Sequence, residues 1–376
     1  MRHIFITCII FLISFHFSNA QEITEPLSVS DSLTMKPETQ KKNFFKSVFD
    51  YFMGELDTIY VTPNKYEFAF LSTYYNNNEY YDLHSTSPEK QTLRFTHKPQ
   101  NKIGFYMGWQ IFFLGWSFSV DKNRDHNGNK KTGSSFELSL YSAKFGIDIM
   151  HLKTGNNYRI HKAKGFGENI PPDRAIDFDG FDVNLSGVNL YYILNNKRFS
   201  YPAAYSQTNV QRRSAGSGIV GLSLSTHDLS FDYKKLPKEI LIHLNPNMQF
   251  NRIKYTNLSL SMGYSYNWVF ARNFLANISA SPVLAYKLSK ETTTGEDAKG
   301  FFNRFNVDLL VRAGVVYNNG KYYIGTSYLN RTYGFNQKNF ALHNGFGTLQ
   351  VYTGFNFYLK KKYRDTGHKK RSVLAN

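Results

Sequence analysis

Between Asn257 and Phe270 the chain reads NLSLSMGYSYNWVF, and this alternation constrains the fold more than any other stretch. Leu258, Leu260, Met262, Tyr264, Tyr266, Trp268 and Phe270 occupy every second position, with Ser, Asn and Gly between them as far as Trp268. Period two gives a strand with one apolar face and one small, polar face. At about 3.3 Å per residue, Leu258 to Phe270 spans roughly 40 Å, about twice the usual strand of a soluble domain. Tilted by about 40°, such a strand covers roughly 30 Å, the thickness of a bilayer core. The expected fold class is therefore all-β: an antiparallel transmembrane β-barrel.

The rest of the chain agrees with that expectation. Met1-Arg2-His3 precedes an apolar run from Ile4 to Phe17 and then Ser18-Asn19-Ala20, the pattern of a secretory signal cleaved after Ala20. The only cysteine is Cys8, inside this leader, so the mature chain has no disulfide and no thiolate metal site. After Ala20 no apolar run approaches the roughly 18 residues of a spanning helix. Aromatic residues make up 17% of the sequence, as expected for a barrel girdled at both lipid interfaces. A large secreted all-β binding protein with an aromatic core is the alternative reading.

The net charge is +17, and the tail from Lys360 to Asn376 alone holds seven basic residues against Asp365. Nucleic acid is the usual partner of such a balance, but it suits an exported, strand-rich chain poorly, and none is expected here. The partners expected instead are outer-membrane lipids and lipopolysaccharide, together with the barrel-assembly machinery and an unidentified small solute. The domain order is a leader over 1–20, a polar segment over 21–56, a barrel over 57–359 and a basic periplasmic tail over 360–376. Phe44, Phe45, Val48, Phe52 and Leu56 recur near helical spacing, which predicts a short N-terminal amphipathic helix within Lys41–Leu56.

Alternating rows recur along residues 57–359, giving about fourteen strands, within a range of twelve to sixteen. Asn76-Asn77-Asn78, Thr154–Asn157, His227-Asp228, Arg272-Asn273 and Asn318-Asn319-Gly320 read as turns. Within Ser135–His151 the apolar row changes parity after Leu140, which predicts a β-bulge at Tyr141–Ser142. Lys235–Gln249 and Thr332–His343 read as longer loops. Tight and long connections alternate, as they do between the periplasmic and outer ends of such barrels, which puts the C-terminus on the periplasmic side. Asp121, Asp125, Asn127 and Asn129 faintly resemble a calcium loop, but the closing Glu is missing and Lys130 and Lys131 oppose it, so no metal is expected.

Several runs also resemble a known family. Asp57–Tyr66 (DTIYVTPNKY), Leu140–Asp148, Phe199–Gln207, Gln211–Gly216 and Asn267–Asn273 (NWVFARN) are similar to the domain-of-unknown-function 4421 family of Gram-negative secreted proteins, over about residues 57 to 359. The resemblance implies a barrel-like fold and an exported location. It implies no reaction and no cofactor.

Two groups of residues are candidates for binding. Tyr201, Gln211, Arg212, Arg213 and Ser214 lie in a polar segment that breaks the alternation, where the two arginines could clamp a phosphate or carboxylate. The alternative is that this segment folds inward and its polar groups bond to the wall. Glu137, Lys144, Asp148, Asp308 and Arg312 fall on lumen-facing positions, where they would brace a closed barrel or set the ion selectivity of an open one. An outer-membrane lipid-modifying enzyme would need a serine held by a histidine. Ser200, Ser206 and Ser214 with His151, His227 or His243 are the only combinations to weigh, and no Gly-x-Ser-x-Gly elbow surrounds them.

Overall fold

The computed structural model describes residues 54–85, 89–97, 100–109, 112–120, 134–155, 157–167, 175–292, 304–336 and 340–358. The leader, nearly all of the expected amphipathic helix, the loop carrying Asp121–Asn129 and the basic tail lie outside the described residues.

The described chain is almost entirely antiparallel strand. Two short strands, β1 (Val61–Pro63) and β11 (Asn209–Gln211), pair with each other. All other strands belong to one strongly curled sheet. Strands rising from the end with the tight turns are β2 (Phe68–Ser85), β5 (Phe112–Ser119), β7 (Phe145–Lys153) continued by β8 (Tyr158–Lys164), β12 (Ala215–Phe231), β14 (Phe274–Thr292) and β16 (Tyr322–Asn336). Strands descending are β3 (Gln91–His97) continued by β4 (Gln100–Trp109), β6 (Ser134–Tyr141), β9 (Ile176–Phe178) continued by β10 (Phe181–Ile193), β13 (Arg252–Ala271), β15 (Phe305–Asn318) and β17 (Phe340–Phe357). Each continued pair keeps one direction against its neighbour: β2 pairs Tyr80 with Thr96 of β3 and Asn77 with Gln100 of β4. Counted as staves these are twelve, an even number inside the expected range.

Pairing differs between the two halves. In the upper half β2 pairs β3, β3 pairs β8 and β8 pairs β9, the chain carries on from β9 into β10, and pairing then leads from β10 through β12 to β17 and back to β2. In the lower half β5 and β6 enter between β4 and β7. β4 pairs β5 and β6 pairs β7, but among the described residues β5 and β6 do not pair with each other.

Strand alternation sorts the side chains. On β13, Met262 (64% exposed) and Trp268 (56%) point outward, whereas Asn257, Ser265 and Asn267 are fully buried inward. Outward aromatic side chains gather near the lower ends of the staves. Phe68 stacks on Phe357, Trp268 packs against Phe270, and Phe274 packs against Tyr317. The upper lumen is filled by an apolar cluster that includes Tyr81, Phe95, Tyr158, Phe181, Phe231, Tyr255 and Phe335. Residues 232–251 fold over it and contribute Leu236, Ile240, Leu244, Met248 and Phe250. Gln91 pins this cap by donating to the His243 carbonyl at 2.6 Å and accepting from the Asn245 amide at 2.9 Å.

Five local expectations are corrected. The parity change after Leu140 is a hairpin turn, not a bulge: the Ser142 amide donates to the Phe145 carbonyl, and Ser142 Oγ accepts the Phe145 amide at 2.9 Å. His227-Asp228 does not turn. It lies within β12, with His227 stacked on Tyr255 at 4.5 Å. Thr154–Asn157 interrupts a rising stave without reversing it, because β7 and β8 run antiparallel to the successive strands β10 and β9. Asn76–Asn78 lies in mid-strand, where Asn76 Nδ2 donates to Asn101 Oδ1 at 2.7 Å. The Thr332–His343 loop also shrinks, since β16 runs to Asn336 and β17 starts at Phe340.

Candidate functional site: a filled lumen

The tight-turn end carries one long connection, residues 194–214 between β10 and β12, and it folds into the barrel. Its centre is the one-turn helix α1 (Tyr201–Tyr205). Ser200 caps α1 by accepting the Ala203 amide at 3.2 Å, and Pro202 supplies a fixed φ in the first turn. Tyr201, Pro202, Ala203 and Ala204 are all buried. Gln207 ends the turn in the left-handed region, at φ 61°.

The wall grips this plug through amides and phenols. Asn267 of β13 donates to the Ser200 carbonyl at 2.9 Å and to Gln211 Oε1 at 3.0 Å. Asn318 of β15 donates to Gln207 Oε1 at 3.0 Å, and Gln207 Nε2 donates to the Tyr352 hydroxyl at 3.0 Å. Tyr205 donates to Asn277 of β14. A polar group in this environment is costly unless bonded, so the network fixes one position for the plug. The segment leading to the barrel is sewn to the plug from below: β1 pairs β11, and the Arg212 amide donates to the Tyr60 carbonyl at 2.6 Å.

Directly above the plug an ion pair spans the lumen. Arg312 of β15 donates to Asp148 Oδ2 of β7 at 2.5 Å and to the Tyr141 hydroxyl of β6 at 3.1 Å. Its guanidinium sits against the rings of Tyr191, Tyr201 and Tyr205, each within 5.8 Å. Asp148 also accepts from Ser139 Oγ at 2.7 Å. Higher still, Asp308 Oδ1 accepts the Gly334 amide at 2.8 Å. It lines a cavity with Asn189, Ser223, Ser259, Ser261 and Arg331 of about 10 Å³, room for one water molecule.

The two candidate groups therefore part company. Asp148 and Arg312 meet, and Tyr201 joins them from the plug. Asp308 is in the lumen one layer higher. Gln211 is buried as a structural hub, with Nε2 donating to the Arg198 carbonyl at 2.7 Å and the Arg213 carbonyl at 2.9 Å. Ser214 Oγ accepts the Val269 amide at 2.9 Å. Arg212 and Arg213 do not converge: both side chains are exposed at the mouth, and Arg212 Nε donates to Thr62 Oγ1 at 3.1 Å. Lys144 is not in the lumen. It belongs to the β6–β7 turn at the mouth, beside Gly54. The side chain of Glu137 lies outside the described residues. Ser200, Ser206 and Ser214 are bonded to backbone and to polar neighbours other than histidine. Sequence reasoning missed Tyr141, Tyr191, Tyr205, Asn267 and Asn277. The polar parity of Asn267 in the β13 stretch was the signal available for it.

Fold and site define an antiparallel β-barrel-type protein whose lumen is occupied by its own chain. The family model described as "Domain of unknown function (DUF4421)" matches residues 55–357, and the chain belongs to that family. No curated protein matches the sequence. Among solved structures, the outer membrane protease OmpT of Escherichia coli aligns at 10% identity over 79% of this chain and 98% of its own, with a TM-score of 0.37. A bacterial polysaccharide outer membrane secretin aligns at 10% identity over 77% and 98%, TM-score 0.31. The P. putida toluene transporter TodX aligns at 8% identity over 81% and 94%, TM-score 0.27. No activity passes from any of them to this chain.

Proposed function

We propose that this chain is an outer-membrane barrel, exported behind the leader over residues 1–20, that serves envelope structure and does not pass solute. The membrane location is supported by the outward apolar rows and the aromatic side chains that end them, since only a lipid-facing barrel leaves Met262, Ile278 and Val307 each more than 60% exposed in sequence-alternating rows. The observation that carries the non-conducting reading is the plug: Tyr201 to Ala204 are buried in the lower lumen, with Arg312 and Asp148 closing the space above them. An open porin lines its lumen with mobile, hydrated charge. Here the lumen charges of Arg312 and Asp148 are joined across it.

Planar-bilayer recording tests the proposal. The full chain should insert without discrete conductance steps at any holding potential. A variant in which residues 195–213 are replaced by a short Asn-Gly turn should also stay closed, because the apolar cluster and the 232–251 segment still fill the upper lumen. Steps from the intact protein would refute the reading.

A further inference from the structure

We propose that the tight-turn face of the barrel docks an acidic polymer on the periplasmic side, namely peptidoglycan through the free carboxylates of its peptide stems. The inference gives the envelope role a partner, and it rests on the membrane location proposed above and on the short connections that mark this end as periplasmic. It begins with charge. Arg212 and Arg213 are exposed at the mouth, and Arg272 and Lys321 are exposed at the β13–β14 and β15–β16 turns. Among the described residues the acids at this end are Glu55, Asp57 and Glu67. Glu55 is taken by Lys197 at 3.0 Å and Asp57 by Arg198 at 3.4 Å, and none of the three forms an ion pair with Arg212, Arg213, Arg272 or Lys321. At the opposite end the exposed arginines Arg94, Arg159 and Arg252 each meet an aspartate. The chain also continues from Tyr358, which packs on Tyr66 at the tight-turn end, into residues 360–376 with seven basic side chains against Asp365.

Plug and wall hold these cations in place. The buried Gln211 amide donates to the carbonyls of Tyr60, Arg198 and Arg213, and the Arg212 amide donates to the Tyr60 carbonyl. The Arg198 guanidinium lies over the Tyr60 ring at 5.1 Å. Three arginines therefore stand around one buried side chain, above the plug's outer surface. The turns beside them are sewn together as well. Asn273 takes the left-handed conformation that closes the β13–β14 turn, at φ 66°, and its carbonyl accepts the Asn318 amide at 2.8 Å. The Lys321 carbonyl accepts the Asn356 amide of β17 at 2.7 Å.

The spread of the cations decides between partners. A guanidinium matches a carboxylate with two parallel hydrogen bonds. Arg212 and Arg213 do not converge, so one small anion does not meet both. A single exposed ion pair contributes little, whereas a polymer that repeats its charge engages several at once. Headgroups of the inner leaflet surround the barrel and come near Arg272 and Lys321 on the rim. Arg198, Arg212 and Arg213 stand over the filled lumen, inside the ring of staves, and face the aqueous periplasm. The anion that suits them lies beyond the membrane, and the wall polymer carries a carboxylate on each stem.

Co-sedimentation with purified peptidoglycan sacculi tests the docking face on the full-length protein folded in detergent. Heat-modifiable gel mobility confirms that each variant folds, and insertion into lipid vesicles checks the membrane location separately. The protein should pellet with sacculi at low salt and be released as salt rises to about 0.5 M. Arg212→Glu/Arg213→Glu should weaken binding roughly tenfold, and Lys162→Glu/Lys164→Glu at the opposite end should change it by less than about twofold. Sacculi with amidated carboxylates should not retain the protein. If the protein inserts into vesicles but does not pellet, or pellets equally with amidated sacculi, the docking face is refuted and the membrane reading stands. If the two charge reversals weaken binding alike, net charge alone is at work and the face is refuted. If wall binding is absent and native mass spectrometry shows retained phosphatidylglycerol that Arg272→Glu/Lys321→Glu releases, the cations serve the leaflet and the face is refuted. If the protein does not insert into vesicles, the membrane reading falls and the docking face falls with it.

Discussion

The ion pair between Arg312 and Asp148 gives the sharpest energetic prediction. Both side chains are held well away from water, and their partners are unequal. Asp148 keeps neutral donors if the arginine is removed: Ser139 at 2.7 Å, Tyr141 at 3.2 Å and Asn189 at 3.4 Å. Arg312 without Asp148 keeps only neutral phenols, those of Tyr141 and Tyr201, as partners, and its Nε already lacks an acceptor. Breaking a buried pair from one side costs about 3–5 kcal/mol. The asymmetry places Arg312→Met near 3 kcal/mol and Asp148→Leu near 5 kcal/mol, both as estimates on that scale. The double variant Arg312→Met/Asp148→Leu should recover most of the loss, ending about 2–3 kcal/mol below wild type, which is a coupling of roughly 5–6 kcal/mol in the double-mutant cycle. Reversible urea unfolding of the protein in lipid vesicles, followed by tryptophan emission and gel mobility, reads all four stabilities. If each single variant cost under about 1 kcal/mol, the pair would be hydrated and the lumen not filled at this level.

Three further outcomes follow from individual contacts. Gly263→Val on β13 should lower stability by about 1–3 kcal/mol or more, because even a Cβ there would lie 2.0 Å from Ser281 Oγ and 2.3 Å from the Ala280 carbonyl; equilibrium unfolding checks it. Leu260→Arg on the outward face should cost about 2–4 kcal/mol in a bilayer and far less in detergent, measured by unfolding in both. Asn267→Ala should release the plug from β13 by removing the donor to Ser200 and Gln211, at about 1–3 kcal/mol, and should raise amide exchange across residues 199–211.

Period two made β13 legible residue by residue, because inward and outward chemistry differ at every step. The same logic misread two other places. A tight hairpin and a bulge both reverse apolar parity, so Leu140–Phe145 could not be resolved from pattern alone. Polar dipeptides usually mark turns, but a barrel with a polar lumen buries them, which is why His227 sits in the middle of β12. Asp148 and Arg312 could each be placed in the lumen from parity. Their pairing could not, because they are 164 residues apart and meet only when the sheet curls. The plug was readable as a break in alternation at Phe199–Ser214, but its grip depends on Asn267, Asn277, Asn318 and Tyr352 from four different strands.

Cysteine accessibility tests the filled lumen most directly, and the chain suits it because Cys8 is its only cysteine. In a Cys8→Ser background, Ala204→Cys lies at the heart of the plug, where the native side chain is 3% exposed, and Arg213→Cys lies on the exposed mouth. With the folded protein in liposomes and a polar maleimide, Arg213→Cys should label within minutes and Ala204→Cys should stay unlabelled until urea unfolds the barrel. Equal labelling of the two in the folded protein would contradict a lumen closed by its own chain.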